Sequence, residues 1–162
     1  MRKQYYLAYG SNLNVGQMRY RCPDAKAIGT AEIPGYELLF KGSKTGAYLT
    51  IEEQDESKVP VAVWEVSERD ERNLDIYEGF PNFYYKRRFR VKVTGKDGEQ
   101  KEIVAFAYIM HEDRLVAVPS EQYYITCRNG YKTFGFDLKY LNTALEKSWL
   151  VEAIRGGEGY ES

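Results

Sequence analysis

The stretch TGKDGEQ, residues 94–100, separates two runs rich in Val, Ile, Tyr and Phe, one at about 84–94 and one at about 102–110. Asp97-Gly98 is strong turn chemistry, because Gly adopts and Asp tolerates the positive φ that a tight hairpin requires. Strands joined this closely run antiparallel, since a parallel pair needs a crossover of a dozen or more residues. Four further runs of the same character, each bounded by turn residues, fall at about 4–8, 36–41, 46–52 and 59–66. Three helical regions are predicted: a short one at about 14–21 stopped by Pro23, one from Ser67 to about Tyr77, and one or two between Ser120 and Ile154. Ser67 and Asp70 have the spacing of an N-cap and its return partner. Strands and helices do not strictly alternate, so a doubly wound parallel sheet is a poor fit and an α+β fold a good one. The expected architecture is a small, mostly antiparallel six-stranded β-sheet that can curl into a barrel, with flanking helices.

The run at 84–94 divides into two faces. Tyr84, Lys86, Arg88, Arg90 and Lys92 share one side, and Tyr85, Arg87, Phe89, Val91 and Val93 share the other. The second face is the more apolar, which predicts that Tyr85 points inward. The first is basic, and a solvated strand face explains it more simply than a nucleic-acid surface, because no aromatic stacking pair interleaves it.

The chain of 162 residues suits one domain, taken as 1–162, with no repeat or linker to divide it. Its 23 basic and 24 acidic side chains leave a net charge of -1, which gives no global attraction to nucleic acid or to an anionic membrane. The expected partner is a small molecule, with the protein itself a monomer or homodimer. Fifteen tyrosines raise the aromatic share to 15%, and such rings, apolar in body and polar at the tip, suit the wall of a cavity. Cys22, Cys127 and the single His111 lie far apart in sequence, so neither a metal site nor a disulfide framework is expected. The opening MRKQYYLAYGS lacks the apolar segment of a leader, and nowhere do eighteen apolar residues run together, so the expected location is the cytoplasm.

Two stretches carry chemistry. In the first, Tyr9-Gly10-Ser11-Asn12-Leu13 follows the first strand directly. Glycine permits a tight turn, and the next residues present successive N–H groups at the start of a helix, where a carboxylate or phosphate can bind. The plainer reading is a helix cap. No GxGxxG and no P-loop lysine follows, which excludes dinucleotides and triphosphates as the natural anion and leaves a free amino-acid carboxylate. In the second stretch, LDIYEGFPNFYY at 74–85, Glu78 stands among aromatics just past a predicted helix. A glutamate buried there would have a raised pKa suited to general acid/base work. Read locally, an exposed helix-end residue beside a Gly stop explains it more simply. A Ser-His-Asp triad is a poor alternative, since His111 would have to be the base and no GxSxG elbow surrounds Ser11.

Taken together, YGSNL at 9–13, NLDIYEGFPNFYYKRRFRV at 73–91, AYIM at 107–110 and SEQYYITCRNG at 120–130 resemble the γ-glutamylcyclotransferase-like family. The resemblance implies a small closed barrel with flanking helices. It makes Tyr9, Gly10, Ser11, Asn12 and Leu13 the loop that binds the α-carboxylate and α-amino ends of a γ-glutamyl group. It makes Glu78 the catalytic acid/base, and Tyr85 and Tyr123 tyrosines of the cavity. The implied reaction is attack of the substrate's own α-amino group on its γ-carbonyl, which releases 5-oxoproline and an amine or amino acid and needs no cofactor and no metal. A catalytically inactive small-carboxylate-binding or regulatory module on the same fold is the other reading. Arg87, on the expected inward face, either senses the leaving group or pairs with an acid at the rim.

Overall fold

The computed structural model describes residues 3–43 and 46–161. The chain runs β1 (Gln4–Ala8), α1 (Val15–Arg21), β2 (Lys26–Ser43), β3 (Gly46–Val66), α2 (Glu68–Glu78), β4 (Tyr84–Thr94), β5 (Gln100–Met110), β6 (Leu115–Val116), α3 (Glu121–Phe134) and α4 (Lys139–Glu161), with a short 3-10 turn at Ser11–Leu13. Five strands close a barrel in the order β2-β3-β1-β5-β4, and β4 returns to β2 through the pair Thr30 and Thr94. β6 lies on the same edge of β2 further along, opposite Lys41 and Gly42. The barrel is mostly antiparallel, as expected. The exception is β1 beside β5, which pair in parallel at Tyr6 and Phe106.

Two differences from the sequence reading concern the strands. The runs at 46–52 and 59–66 are one strand, β3, and the segment 26–35 is extended as the first half of β2. Gly29, Pro34 and Gly35 read as turn punctuation, and the acidic EQDESK at 53–58 reads as a loop. In the fold they mark irregularities within a long hairpin. Pro34 pairs with Lys58 and Tyr36 with Glu53, so residues 54–57 bulge out opposite Gly35, with Glu56 at φ 68.

Turn and cap chemistry behaves as the sequence predicts. The β4–β5 hairpin is closed by Gly95 N–H donating to Glu99 O at 2.8 Å and by Asp97 Oδ1 accepting from Glu99 N–H at 3.0 Å. At the start of α2, Ser67 Oγ accepts from Asp70 N–H at 3.1 Å and Asp70 Oδ2 accepts from Ser67 N–H at 3.2 Å, a complete capping box. The region after Ser120 holds two helices, with Gly135 ending α3. No helix of the described residues is long and apolar enough to cross a membrane.

The core is continuous around the barrel. Leu7, Ile33, Phe40, Ile51, Val61, Val63, Ala105 and Ile109 are fully buried in it. On β4 the expected alternation holds at one end and fails at the other. Val91 and Val93 are buried, but Arg87 is exposed and Tyr85 only half-buried, while Tyr84 of the opposite face is 6% exposed. The cause is α2, which covers that opposite face at its early end: Lys86 pairs with Glu71 at 2.5 Å and with Asp75 at 2.8 Å, and lies against the Phe80 and Phe106 rings. Arg88 and Arg90 of the basic face also have partners, Arg88 on Gln4 Oε1 and Arg90 on Glu102.

Candidate active site

The turn after β1 is held by two backbone bonds, Leu13 N–H to Gly10 O and Asn14 N–H to Ser11 O, both 3.0 Å. The N–H groups of Ser11 and Asn12 come first in this turn and have no partner within it. Asn14 caps α1 by accepting from Gln17 N–H at 3.1 Å. Behind the turn stands α3, and the two can touch only because residue 130 is glycine: a Cβ there would lie 2.4 Å from Leu13 Cβ and 2.8 Å from the Leu13 carbonyl carbon. Leu13 is fully buried in that contact. It therefore anchors the loop and does not line the cavity.

The other half of the site comes from the end of α2. Gly79 takes the left-handed conformation at φ 65, its N–H and that of Phe80 return to the helix end, and the helix stops with Glu78 as its last residue. The result is a cavity of about 360 Å³. Tyr6, Tyr9, Gly10, Ser11 and Asn12 form one wall, and Ile76, Tyr77, Glu78 and Gly79 form the facing one. Tyr48, Leu49, Phe83, Tyr84, Tyr108 and Tyr123 complete the enclosure.

Six of the eight residues singled out in the sequence line this cavity: Tyr9, Gly10, Ser11, Asn12, Glu78 and Tyr123. Leu13 supports the loop from behind. Tyr85 is a correction. Its hydroxyl donates to Glu112 Oε2 at 2.5 Å and its ring lies beside His111, on the strand face turned away from the cavity. Its neighbour Tyr84 lines the cavity instead, because α2 and the turn cover that face of β4. Arg87 pairs with Glu53 at 3.4 Å, the rim arrangement, and does not line the cavity. Tyr6, Tyr48, Tyr77 and Tyr108 were not singled out. Tyr77 falls within the aromatic stretch around Glu78, but for Tyr6, Tyr48 and Tyr108 the abundance of tyrosine was the only signal, since they reach the cavity from three strands through the closure of the barrel.

The tyrosines are fixed by hydrogen bonds to the barrel. Tyr9 Oη donates to Tyr108 O at 2.6 Å, Tyr84 Oη donates to Leu49 O at 2.9 Å, and Tyr123 Oη accepts from Leu49 N–H at 3.1 Å. Asn12 Nδ2 donates to Tyr6 Oη at 2.9 Å, and Ser11 Oγ lies 3.4 Å from Tyr77 Oη. Burial, and after it the charge of Glu78, push the Tyr6 and Tyr9 hydroxyls well above their usual range, so they remain neutral donors. Glu78 is half-buried as a residue and opens onto the cavity. Desolvation of its carboxyl raises it from 4.5 to about 7, against a smaller lowering by Arg21. A carboxyl that titrates near 7 can both take and give a proton at neutral pH. Among the described residues no three His, Cys, Asp or Glu side chains are grouped so as to hold a metal ion.

The fold and this cavity define a small closed β-barrel protein in which one carboxyl, raised to about 7, opens onto a cavity lined by tyrosines and a helix-initiating turn. The family described as gamma-glutamyl cyclotransferase, AIG2-like, matches residues 6–125, and the chain belongs to it. Gamma-glutamylcyclotransferase from Bos taurus is 32% identical over 142 residues, covering 83% of this chain and 73% of the relative, and the protein of the same name from Homo sapiens matches to the same extent. A solved structure of a gamma-glutamyl cyclotransferase superposes with a TM-score of 0.74 at 29% identity, covering 88% of this chain and 86% of the other.

Proposed function

We propose that this protein is a γ-glutamyl cyclotransferase, cleaving a γ-glutamyl amide by intramolecular attack to release 5-oxoproline and an amine or amino acid. The observation that carries the reading is that the Tyr9–Asn12 turn and Glu78 line one cavity, with Glu78 raised to about 7. Relatives named gamma-glutamylcyclotransferase support it.

The substrate's α-carboxylate binds at the turn, where the Ser11 and Asn12 N–H groups lie, and its chain folds back into the cavity. Glu78, as the carboxylate, takes a proton from the α-ammonium. The freed amine attacks the γ-carbonyl carbon, forming the ring C–N bond, and the tetrahedral oxyanion is met by the hydroxyls of Tyr6 and Tyr123, which accept from Asn12 Nδ2 and Leu49 N–H and keep their own protons to donate. Glu78 then gives the proton taken from the ammonium to the departing nitrogen as the original amide C–N bond breaks, so the leaving group departs as an amine. Glu78, again a carboxylate, takes the second proton from the ring nitrogen and passes it to water, leaving a neutral lactam. Holding the glutamyl chain in its folded form supplies much of the rate, because the attack is unimolecular.

The test is incubation of the pure protein with a broad panel of γ-glutamyl-amino acids and γ-glutamyl-amines, followed by measurement of 5-oxoproline. Release from at least one class is expected. No release from any member, together with tight binding of a small carboxylate, would favour the inactive binding module.

A further inference from the structure

Arg21, at the last turn of α1, touches both halves of the cavity without lining it. Its Nη1 donates to Asn12 Oδ1, its Nη2 donates to Gln17 Oε1 at 2.7 Å, and its guanidinium carbon lies 3.5 Å from the centre of the Tyr77 ring. Its own carbonyl accepts from Asn73 Nδ2 of α2 at 2.9 Å. One side chain thus grips the binding turn and the helix end that carries Glu78. Its direct partners are neutral amides and a ring, and among the described residues no carboxylate forms an ion pair with it. Lys86, the cation on the other side of α2, is by contrast paired with Glu71 and Asp75. Asp24, close to Arg21 in sequence, is taken up by Arg69 and Ser67.

We propose that Arg21 is a positioning residue of this site: it fixes Asn12 of the substrate-binding turn against the α2 end and turns an uncompensated positive charge toward the Glu78 carboxyl. The proposal rests on the reading of Glu78 as the acid/base. Of the groups that face Glu78, Tyr6 and Tyr9 from β1 and its turn, Tyr84 from β4, Tyr108 from β5 and Tyr123 from α3 are all held neutral by burial. Asp75, one turn earlier on α2, is engaged by Tyr108 Oη at 2.6 Å and by Lys86. Arg21 is the cation acting on Glu78, and it opposes the effect of burial there. A planar guanidinium also suits the position in a way an ammonium does not, because it stacks on Tyr77 while two of its N–H groups reach separate acceptors.

The test compares the parent with Arg21→Met and Arg21→Lys. The titration of Glu78 is followed by carbon NMR of its carboxyl, assigned with Glu78→Gln, and needs no substrate. In Arg21→Met the midpoint rises above that of the parent, and the acidic limb of the kcat/KM profile moves up with it. In Arg21→Lys, which keeps the charge but loses the fork, the midpoint stays near the parental one while KM rises about tenfold, as expected for losing a charged hydrogen bond to the turn. A folded Arg21→Met protein with the parental midpoint and parental KM overturns the proposal. If Arg21→Met does not fold, Arg21→Lys decides alone, and an unchanged KM overturns the proposal. Absence of turnover by the parent on every γ-glutamyl substrate would instead count against the proposed reaction, while the carboxyl titration would still report on Arg21.

Discussion

At the scale of single residues, the site rests on a carboxyl held against its preference. Burial raises Glu78 from 4.5 to about 7, so the folded protein binds a proton there more tightly than the unfolded chain does. The sign follows directly: between about pH 4.5 and 7 the native state holds more protons than the unfolded one, and this group's contribution to stability falls as pH rises. Glu78→Gln removes the effect, so its melting temperature should match the parent's below about pH 4.5 and exceed it above about pH 7. Thermal melts of both proteins from pH 4 to 8 check this, and a difference independent of pH would mean that Glu78 is not desolvated. Glu78 and the YGSNL turn stood out in the sequence through the family resemblance that joins them, since each stretch read locally is explained more simply as a helix end or a helix cap. The choice between Tyr84 and Tyr85 was not, because alternation tells which residues share a face but not which face a distant helix covers.

At the scale of elements, caps and turns were the most legible features. The Ser67–Asp70 capping box and the Asp97-Gly98 hairpin depend on neighbours two to four residues away. The first half of β2 was hidden by Gly29, Pro34 and Gly35, which long-range pairing with β3 turns into irregularities of a strand. The approach of α3 to the binding turn was also invisible, since Gly130 and Leu13 are far apart in sequence. That contact has a consequence for activity. Gly130→Ala places a methyl group against Leu13, where the nearest atoms include backbone and cannot swing aside. Overpacking of this kind costs about 1–3 kcal/mol. The displaced turn should also raise KM for the γ-glutamyl substrate more than it lowers kcat. Chemical denaturation and steady-state kinetics on the variant measure both, and parental values of each would show that α3 does not hold the turn.

For the whole molecule, the sequence pointed to the class and the strand-rich composition, but the closure belongs to pairings it does not display. β1 lies between β3 and β5, and the ring closes through single pairs, Tyr6 with Phe106 and Thr30 with Thr94. These bring the turn after β1, the end of α2 and the start of β4 around one cavity. Stability should be distributed accordingly. Leu7 and Ala105 to Ile109 are buried in paired strands, whereas residues 54–57 bulge into solvent and β6 is a two-residue edge. Hydrogen exchange should show amides of the bulge and of β6 opening well before those of β1 and β5. Uniform protection across all four segments would contradict this ordering.

The most direct test of the central claim is the rate of 5-oxoproline release by the parent and by Glu78→Gln, on a γ-glutamyl substrate that the parent consumes. Loss of the acid/base should lower turnover by about 10²–10⁴-fold, while the same ligand should still raise the melting temperature of the variant, because the binding turn is intact. A folded Glu78→Gln protein that forms 5-oxoproline at nearly the parental rate would remove Glu78 from the chemistry.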